Sequence, residues 1–205
     1  MLYYCYKNIS DVSDEQLNQM KDKIRCHFDE TASMKRKDSV CAKALLCKML
    51  ESIFDLKEYV ITADKNGKLY IPESEASFNI SHSKDMVFCV VGTKEIGCDV
   101  EQIRECNLKV AKRFFTDDEH GFLLKSKSAD TDFFRLWTVK ESILKHSGDG
   151  LSGGLASYDF SDCLSENQFN RYGLNFKTFI YDKYAFAFCS DEKESCLYNC
   201  ESGGD

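Results

Sequence analysis

Short β-forming runs and longer helical stripes interleave along this 205-residue chain without a strict strand–helix–strand rhythm. That mixture points to an α+β fold. The opening LYYCY is rich in β-formers and reads as a strand. Ser13, with Gln16 three residues on, forms a capping box and starts a helix to about Phe28. A second helix is expected from about Ser39 to Phe54, after the basic cluster Lys35-Arg36-Lys37. Tyr59 to Thr62 reads as a short strand, Asn66-Gly67 as a turn, and Lys68 to Ile71 as its continuation. Met86 to Val91 and Ile96 to Ile103 are expected to pair as a hairpin through Gly92-Thr93-Lys94-Glu95. Helices follow from Asn107 to Phe115, from a second capping box at Thr116, and from Asp132 to His146. Ser147-Gly148-Asp149-Gly150 ends the last of these. Tyr172 to Cys189 is strand-like, and the tail SCLYNCESGGD reads as frayed.

Composition narrows the class. With 43% hydrophobic residues there is enough apolar material for a core. One Pro and eleven Gly exclude collagen-like and linker-like chains. The apolar runs are too short to span a bilayer, and the start lacks a basic and then apolar leader, so neither membrane nor secretion is expected. A net charge of −7 disfavours general binding to nucleic acid or anionic membrane. Eleven cysteines without a C-x-x-C read as reduced thiols of a cytoplasmic protein, not as a structural zinc site.

Three constellations carry chemistry. Asp99 and Glu101 stand two apart on an expected strand, so both carboxylates project from one face while Cys98 and Val100 face the core. Two hard oxygen donors at that spacing suit Mg²⁺, although a solvated strand face gives the same pattern. Leu136, Trp137, Val139, Ile143 and Leu144 share a helical face, with Lys140 in its middle and Glu141 and Lys145 at its edge. A charge inside an apolar stripe is costly unless paired, whereas Glu141 and Lys145 alone could be a surface i,i+4 pair. Phe78-Asn79-Ile80-Ser81-His82-Ser83 leads into a polar loop whose hydroxyls, amides and imidazole could hold a phosphate, or form a plain turn.

Taken jointly, the segments Asn79–Ser83, Gly97–Glu101, Arg113-Phe114-Phe115 with Glu119, and Trp137-x-x-Lys140-Glu141-x-x-x-Lys145 resemble the 4′-phosphopantetheinyl transferases of the surfactin-synthetase-activating type. Gly67-Lys68 with Pro72, and Gly148-x-Gly150-Leu151, resemble the flanking segments. The likeness runs over residues 35 to 155. It implies two similar α+β halves about a pseudo-twofold axis, an N-terminal half of 1–95 and a C-terminal half of 96–205, with the active site in the cleft between them. It implies transfer of the phosphopantetheine arm of coenzyme A to a serine of an acyl or peptidyl carrier protein, by a monomer. By position, Asp99, Glu101 and Glu141 would hold Mg²⁺, Lys145 would place positive charge on the pyrophosphate, and Glu141 would also be a candidate base. Ser81, His82 and Lys68, with Lys35, Arg36, Lys37 or Ser39, would contact coenzyme A phosphates. Lys140 and Trp137 would position the catalytic helix, and Lys109, Lys112, Arg113 and Phe114 or Phe115 would offer a carrier-docking face. One departure stands out: Asp38 precedes Ser39 where such proteins often carry an Arg. The alternatives are a catalytically inactive coenzyme A- or carrier-binding protein and a metal-dependent nuclease. The retained Asp99, Glu101, Glu141 and Lys145 argue against the first, and net acidity against the second.

Overall fold

A computed structural model describes residues 1–29, 33–148 and 154–199. The first half begins with strand β1 (Leu2–Asn8), then helices α1 (Asp14–Ile24) and α2 (Lys37–Phe54). A two-stranded ribbon follows, β2 (Thr62–Ala63) with β3 (Leu69–Tyr70), and then β4 (Ser77–Ser83) and β5 (Met86–Gly92). The second half runs β6 (Ile96–Gln102), α3 (Leu108–Phe114), α4 (Asp117–Lys125), α5 (Ala129–Ser147), β7 (Gln168–Arg171), β8 (Leu174–Tyr181) and β9 (Tyr184–Ser190). A last strand, β10, covers Ser195–Leu197.

The two halves repeat one topology. In the first, β4 and β5 form an antiparallel hairpin and β1 pairs antiparallel with β5. In the second, β8 and β9 form the hairpin and β6 pairs antiparallel with β9. The sheet orders are β10-β1-β5-β4 and β6-β9-β8-β7.

Alternation along the central strands shows how the layers stack. Val87, Cys89 and Val91 of β5 belong to the core under α2, with Val40, Leu46, Met49 and Leu50. Met86, Phe88 and Val90 point the other way, onto Ile96, Cys98, Val100, Tyr184, Phe186 and Phe188 of the second sheet. Ala185, Ala187 and Cys189 of β9 then face Leu136, Val139 and Ile143 of α5. The order is helix, sheet, sheet, helix. Strands buried on both faces lose the polar alternation of a half-exposed strand, which is why β5 reads as continuous apolar sequence.

Gly97 decides how close α5 comes to β6. A Cβ there would lie 1.8 Å from the Ser142 carbonyl oxygen and 2.4 Å from the His146 nitrogen. Only glycine lets the helix lie so near the strand.

The structure corrects three sequence expectations. Residues 86–91 and 96–103 do not form a hairpin: β5 and β6 lie in different sheets, and residues 93–95 cross between them. Asn79–Ser83 is not a loop but most of strand β4, which turns back through Lys84 at φ +54°. The tail is ordered as far as β10, which leaves the second half and pairs parallel with β1, Leu2 opposite Ser195. Asp149, Gly150, Leu151 and Cys200, part of the expected helix end and tail, lie outside the described residues.

Candidate active site

Strands β4 and β6 are edge strands of their own sheets, and they meet through side chains instead of a backbone ladder. Positions i, i+2 and i+4 of β4 share one face. The Asn79 carboxamide oxygen accepts from the Cys98 backbone N–H at 3.0 Å. The Ser81 hydroxyl donates to Asp99 Oδ1 at 2.8 Å, and the Ser83 hydroxyl to Glu101 Oε2 at 2.8 Å. Ser83 also accepts from the Gln102 N–H at 3.2 Å. The polar alternation of this segment therefore serves a seam between the halves.

Helix α5 brings the third carboxylate and a cation to that seam. Lys145 Nζ is 2.6 Å from Asp99 Oδ1 and 3.0 Å from the Ser81 hydroxyl. Burial disfavours the charged lysine most, yet Asp99, then Cys98 and Glu141, together outweigh it and hold the ammonium above its ordinary pKa. One turn earlier stands Glu141. Burial and then the neighbouring Asp99 push its carboxyl up, Lys145 opposes, and Glu101 adds to the rise. The bland reading of Asp99 as a solvated strand residue fails, because it is only 4% exposed. The i,i+4 surface-pair reading fails as well, since Lys145 binds Asp99 of β6 and reaches Ser81 across the seam.

Asp99 Oδ2 is buried with no hydrogen-bond partner. An orphaned carboxylate oxygen beside two more carboxylates is a donor set of hard oxygens, which fits Mg²⁺. Among the described residues no three His, Cys, Asp or Glu side chains are already gathered as a metal-ligating group. Lys145 and Ser81 hold Asp99 Oδ1, and Ser83 and Arg104 hold Glu101 Oε2, so each carboxylate is kept by a neighbour although they feel one another's charge.

The seam opens into a cleft of about 300 Å³, walled by Gly67, Lys68 and Phe78 of the first half and Glu141, Leu144 and Lys145 of the second. A hollow of about 840 Å³ adjoins it past Lys68, Leu69 and Phe78. The 64–68 turn also clasps the end of α5. Lys68 Nζ donates to the His146 carbonyl at 2.7 Å and pairs with Glu95 at 2.5 Å, while the Asn66 amide donates to the Gly148 carbonyl at 2.9 Å. These bonds satisfy carbonyls that a helix C-terminus leaves unpaired.

The nominated phosphate contacts are dispersed. Ser81 and Lys145 sit with Asp99, and Lys68 caps α5. Lys37 Nζ bonds the Ser10 carbonyl at 3.1 Å, and Lys35 is exposed. Ser39 gives its backbone N–H to Asp38 at 2.7 Å. Arg36 makes a bidentate pair with Asp38, at 3.1 and 2.5 Å, and His82 Nδ1 lies 3.4 Å from the same carboxylate. The sequence reading gave Ser83 a possible part in holding phosphate and Asn79 no role of its own, and it missed their bonds to Glu101 and Cys98. The signal was their spacing of two, legible once the segment is a strand.

Behind the site, Lys140 is fully buried and pairs with Glu119 at 2.5 Å. It also donates to the Tyr158 carbonyl, and Glu119 Oε1 accepts from the Phe160 N–H at 2.9 Å. Glu119 closes the Thr116 capping box at the same time. Trp137 packs against Phe114, Phe115 and Phe133. On α3 and its end, Lys109, Lys112 and Arg113 are exposed, but Phe115 is core.

Comparison with known proteins follows these residues. The family model for the 4′-phosphopantetheinyl transferase superfamily matches residues 95–192. The 4′-phosphopantetheinyl transferase Sfp of Bacillus subtilis (strain 168) is 41% identical over 107 residues, covering 51% of this chain and 48% of that protein. The matched part thus spans about half the length of that relative. The 4′-phosphopantetheinyl transferase psf-1 of Bacillus pumilus is 30% identical over 165 residues, covering 75% of this chain and 69% of that protein. The solved holo-[acyl-carrier-protein] synthase of Thermotoga maritima shares 21% identity at a TM-score of 0.35, over 49% of this chain and 64% of that one, too loose to carry an argument. Through the psf-1 match, which covers more than two thirds of that relative, the chain belongs to the 4′-phosphopantetheinyl transferase superfamily.

Proposed function

We propose that this chain transfers the 4′-phosphopantetheine moiety of coenzyme A to a serine hydroxyl of an apo acyl or peptidyl carrier protein, releasing 3′,5′-ADP. One observation carries the reading: Asp99, held at the seam by Ser81 and Lys145, keeps Oδ2 buried and unpartnered, and Glu141 feels the charge of both Asp99 and Glu101. Asp99, Glu101 and Glu141 would hold Mg²⁺. When bound, the ion would neutralise charge on the pyrophosphate and polarise the attacked phosphorus.

The chain's own groups account for the rest. The carrier serine oxygen bonds to the phosphorus bearing pantetheine, and the bond from that phosphorus to the oxygen of 3′,5′-ADP breaks. The serine proton passes to Glu141, the carboxylate one turn before Lys145 on α5, directly or through water. Lys145 stabilises the negative charge gathering on the leaving group. Ser81 orients Asp99 and Lys145. His82 and Lys68, with Lys35, Arg36, Lys37 or Ser39, would contact the coenzyme A phosphates. In this reading 1–95 supplies the nucleotide side and 96–205 the metal and catalytic groups, with β10 as the one strand that crosses back.

The protein would act in the cytoplasm as a monomer. Its thiol-rich composition suits a reducing compartment, and a cleft completed by two halves of one chain needs no second subunit. No helix among the described residues is long and apolar enough to cross a membrane.

The test is the intact mass of several apo carrier proteins after incubation with this protein, coenzyme A and Mg²⁺, with an EDTA control. A metal-dependent gain of one phosphopantetheinyl group is expected. No gain on any carrier, with no coenzyme A binding, would refute the reading.

A further inference from the structure

Strand β4 of the first half sets two hydroxyls against two carboxylates of the second. Ser81 and Ser83 stand two apart on β4, and Asp99 and Glu101 two apart on β6, so each pair projects from one face of its strand. Ser81 donates to Asp99 Oδ1 and Ser83 to Glu101 Oε2, each at 2.8 Å. Each serine takes one oxygen of its carboxylate. Asp99 Oδ2 is left buried and unpartnered, and the donors that reach Glu101, Ser83 and Arg104, both take Oε2. Asp99 has a second holder, the Lys145 ammonium at 2.6 Å. Glu101 has none of that strength, because Arg104 stands 3.4 Å away with 54% of its side chain exposed. Glutamate also has one more rotatable bond than aspartate, so it loses more freedom when it must point one way. The orientation of Glu101 therefore depends chiefly on Ser83.

The Ser83 hydroxyl is fixed in its turn. It carries one proton and accepts through its lone pairs. The Gln102 N–H occupies an acceptor position at 3.2 Å, which leaves the proton for Glu101. Its backbone is pinned as well, since Ser83 pairs with Met86 at the closing end of the β4–β5 hairpin. We propose that Ser83 is a positioning residue for divalent-metal binding: its hydroxyl holds Glu101 Oε2 and leaves Oε1 to the metal. The proposal rests on the transferase reading above, with Asp99, Glu101 and Glu141 as metal ligands. It adds that a strand of the first half sets the affinity of a site whose ligands all belong to the second. Ser83 touches neither donor nor carrier. Without its hydroxyl Glu101 samples more rotamers, and binding a metal must then order it.

The experiment measures Mn²⁺ binding to the full chain by loss of the free-ion paramagnetic resonance signal. Coenzyme A is present, the carrier is omitted, and the same mixture without protein is the reference. Ser83→Ala should weaken Mn²⁺ binding about tenfold, the usual effect of removing a group that orients a metal ligand. Ser83→Thr keeps the hydroxyl and should bind like the parent. Ser83→Val has the shape of that threonine without the hydroxyl and should bind like the alanine variant, so the pair decides the matter even if Ser83→Ala folds poorly. Carrier modification should show the same split. The Mg²⁺ concentration for half-maximal rate should rise about tenfold in Ser83→Ala, while kcat at saturating Mg²⁺ changes by less than about twofold. A purely structural role would instead lower kcat at every Mg²⁺ concentration and leave Ser83→Thr and Ser83→Val with equal Mn²⁺ affinity. That result, or one affinity shared by the parent and all three variants, would overturn the proposal while leaving the transferase reading intact. A parent chain that binds no Mn²⁺ and transfers nothing with Mg²⁺ would remove that reading, and the proposal with it.

Discussion

Replacing Gly97 by alanine should both loosen the fold and silence the site, because one added methyl group strikes the backbone that carries Glu141 and Lys145, the side chains proposed for the chemistry. The new Cβ would lie 1.8 Å from the Ser142 carbonyl oxygen, 2.4 Å from the His146 nitrogen and 3.0 Å from its Cα, where ordinary contact begins at 3.4 Å. All three atoms are backbone, so no side-chain rotation relieves the clash. Helix α5 must therefore back away from β6 by about 1.6 Å, the gap between those two distances. That shift takes Lys145 Nζ from its 2.6 Å contact with Asp99 and lifts Glu141 away with it. Overpacking of this kind costs about 2 to 3 kcal/mol, which lowers a urea midpoint by about 1 M. Misplacing a catalytic group by about 1 Å costs on the order of 10²-fold in turnover. Gly121 in α4 is the control, with nothing within 4 Å of its added Cβ. There alanine should stabilise by about 0.5 to 1 kcal/mol and leave transfer alone. Urea unfolding and carrier mass shift read both effects. A Gly97→Ala protein with an unchanged midpoint and unchanged turnover would show that the close approach of α5 to β6 is not real.

Three further outcomes follow from the site and its support. Glu141→Gln should lower turnover by about 10²- to 10⁴-fold with little change in unfolding midpoint, and near-normal transfer would remove Glu141 from the chemistry. Glu119→Gln should cost about 3 to 5 kcal/mol, because it strands the Lys140 ammonium at 0% exposure. Adding Lys140→Met should recover part of that loss in the same unfolding assay, and a strictly additive double variant would deny the pairing. Burial, and then the Lys68 ammonium, hold the His146 imidazole below its ordinary pKa, against pull from Asp191 and Glu95. The folded protein thus resists protonation that the unfolded chain accepts. Stability tied to this group is intact above the unfolded pKa of about 6.5 and falls as the pH drops below it. His146→Gln should lose less stability than the parent between pH 7.5 and pH 5.5, and an equal loss in both would contradict the assignment.

Local chemistry was legible in the sequence and distant pairing was not. Both capping boxes form as read, Ser13 with Gln16 and Thr116 with Glu119, because all their partners lie within four residues. The shared face of Asp99 and Glu101 follows from strand geometry alone. Lys140 inside an apolar stripe signalled a buried partner, although its identity as Glu119 came only with the fold. The β5–β6 hairpin misled because a turn-like Gly92–Glu95 joins two β-forming runs, and nothing local says that each pairs elsewhere. Strand β4 misled for a related reason. Its polar alternation looks like loop because its hydroxyls face another edge strand, not water. Asp38 was visible only as an unexpected acid before Ser39, and its bond to Arg36 needed coordinates.

The parallel pairing of β1 with β10 has a bearing on synthesis. Leu2 lies opposite Ser195, so a strand made among the first residues waits for one made near the last. At 5 to 20 residues per second, the ribosome takes on the order of ten to forty seconds to supply the intervening chain. During that interval the outer edge of β1 carries unpaired amides and carbonyls, a template for another nascent chain. The first sheet can nucleate through β1, β5 and β4 but closes only when the second half has been threaded past it. Contacts so distant in sequence slow folding. A tag or fusion that pulls on residues 195–197 would therefore be felt at the opposite end of the chain, in the sheet that supports β4 and its hydroxyls.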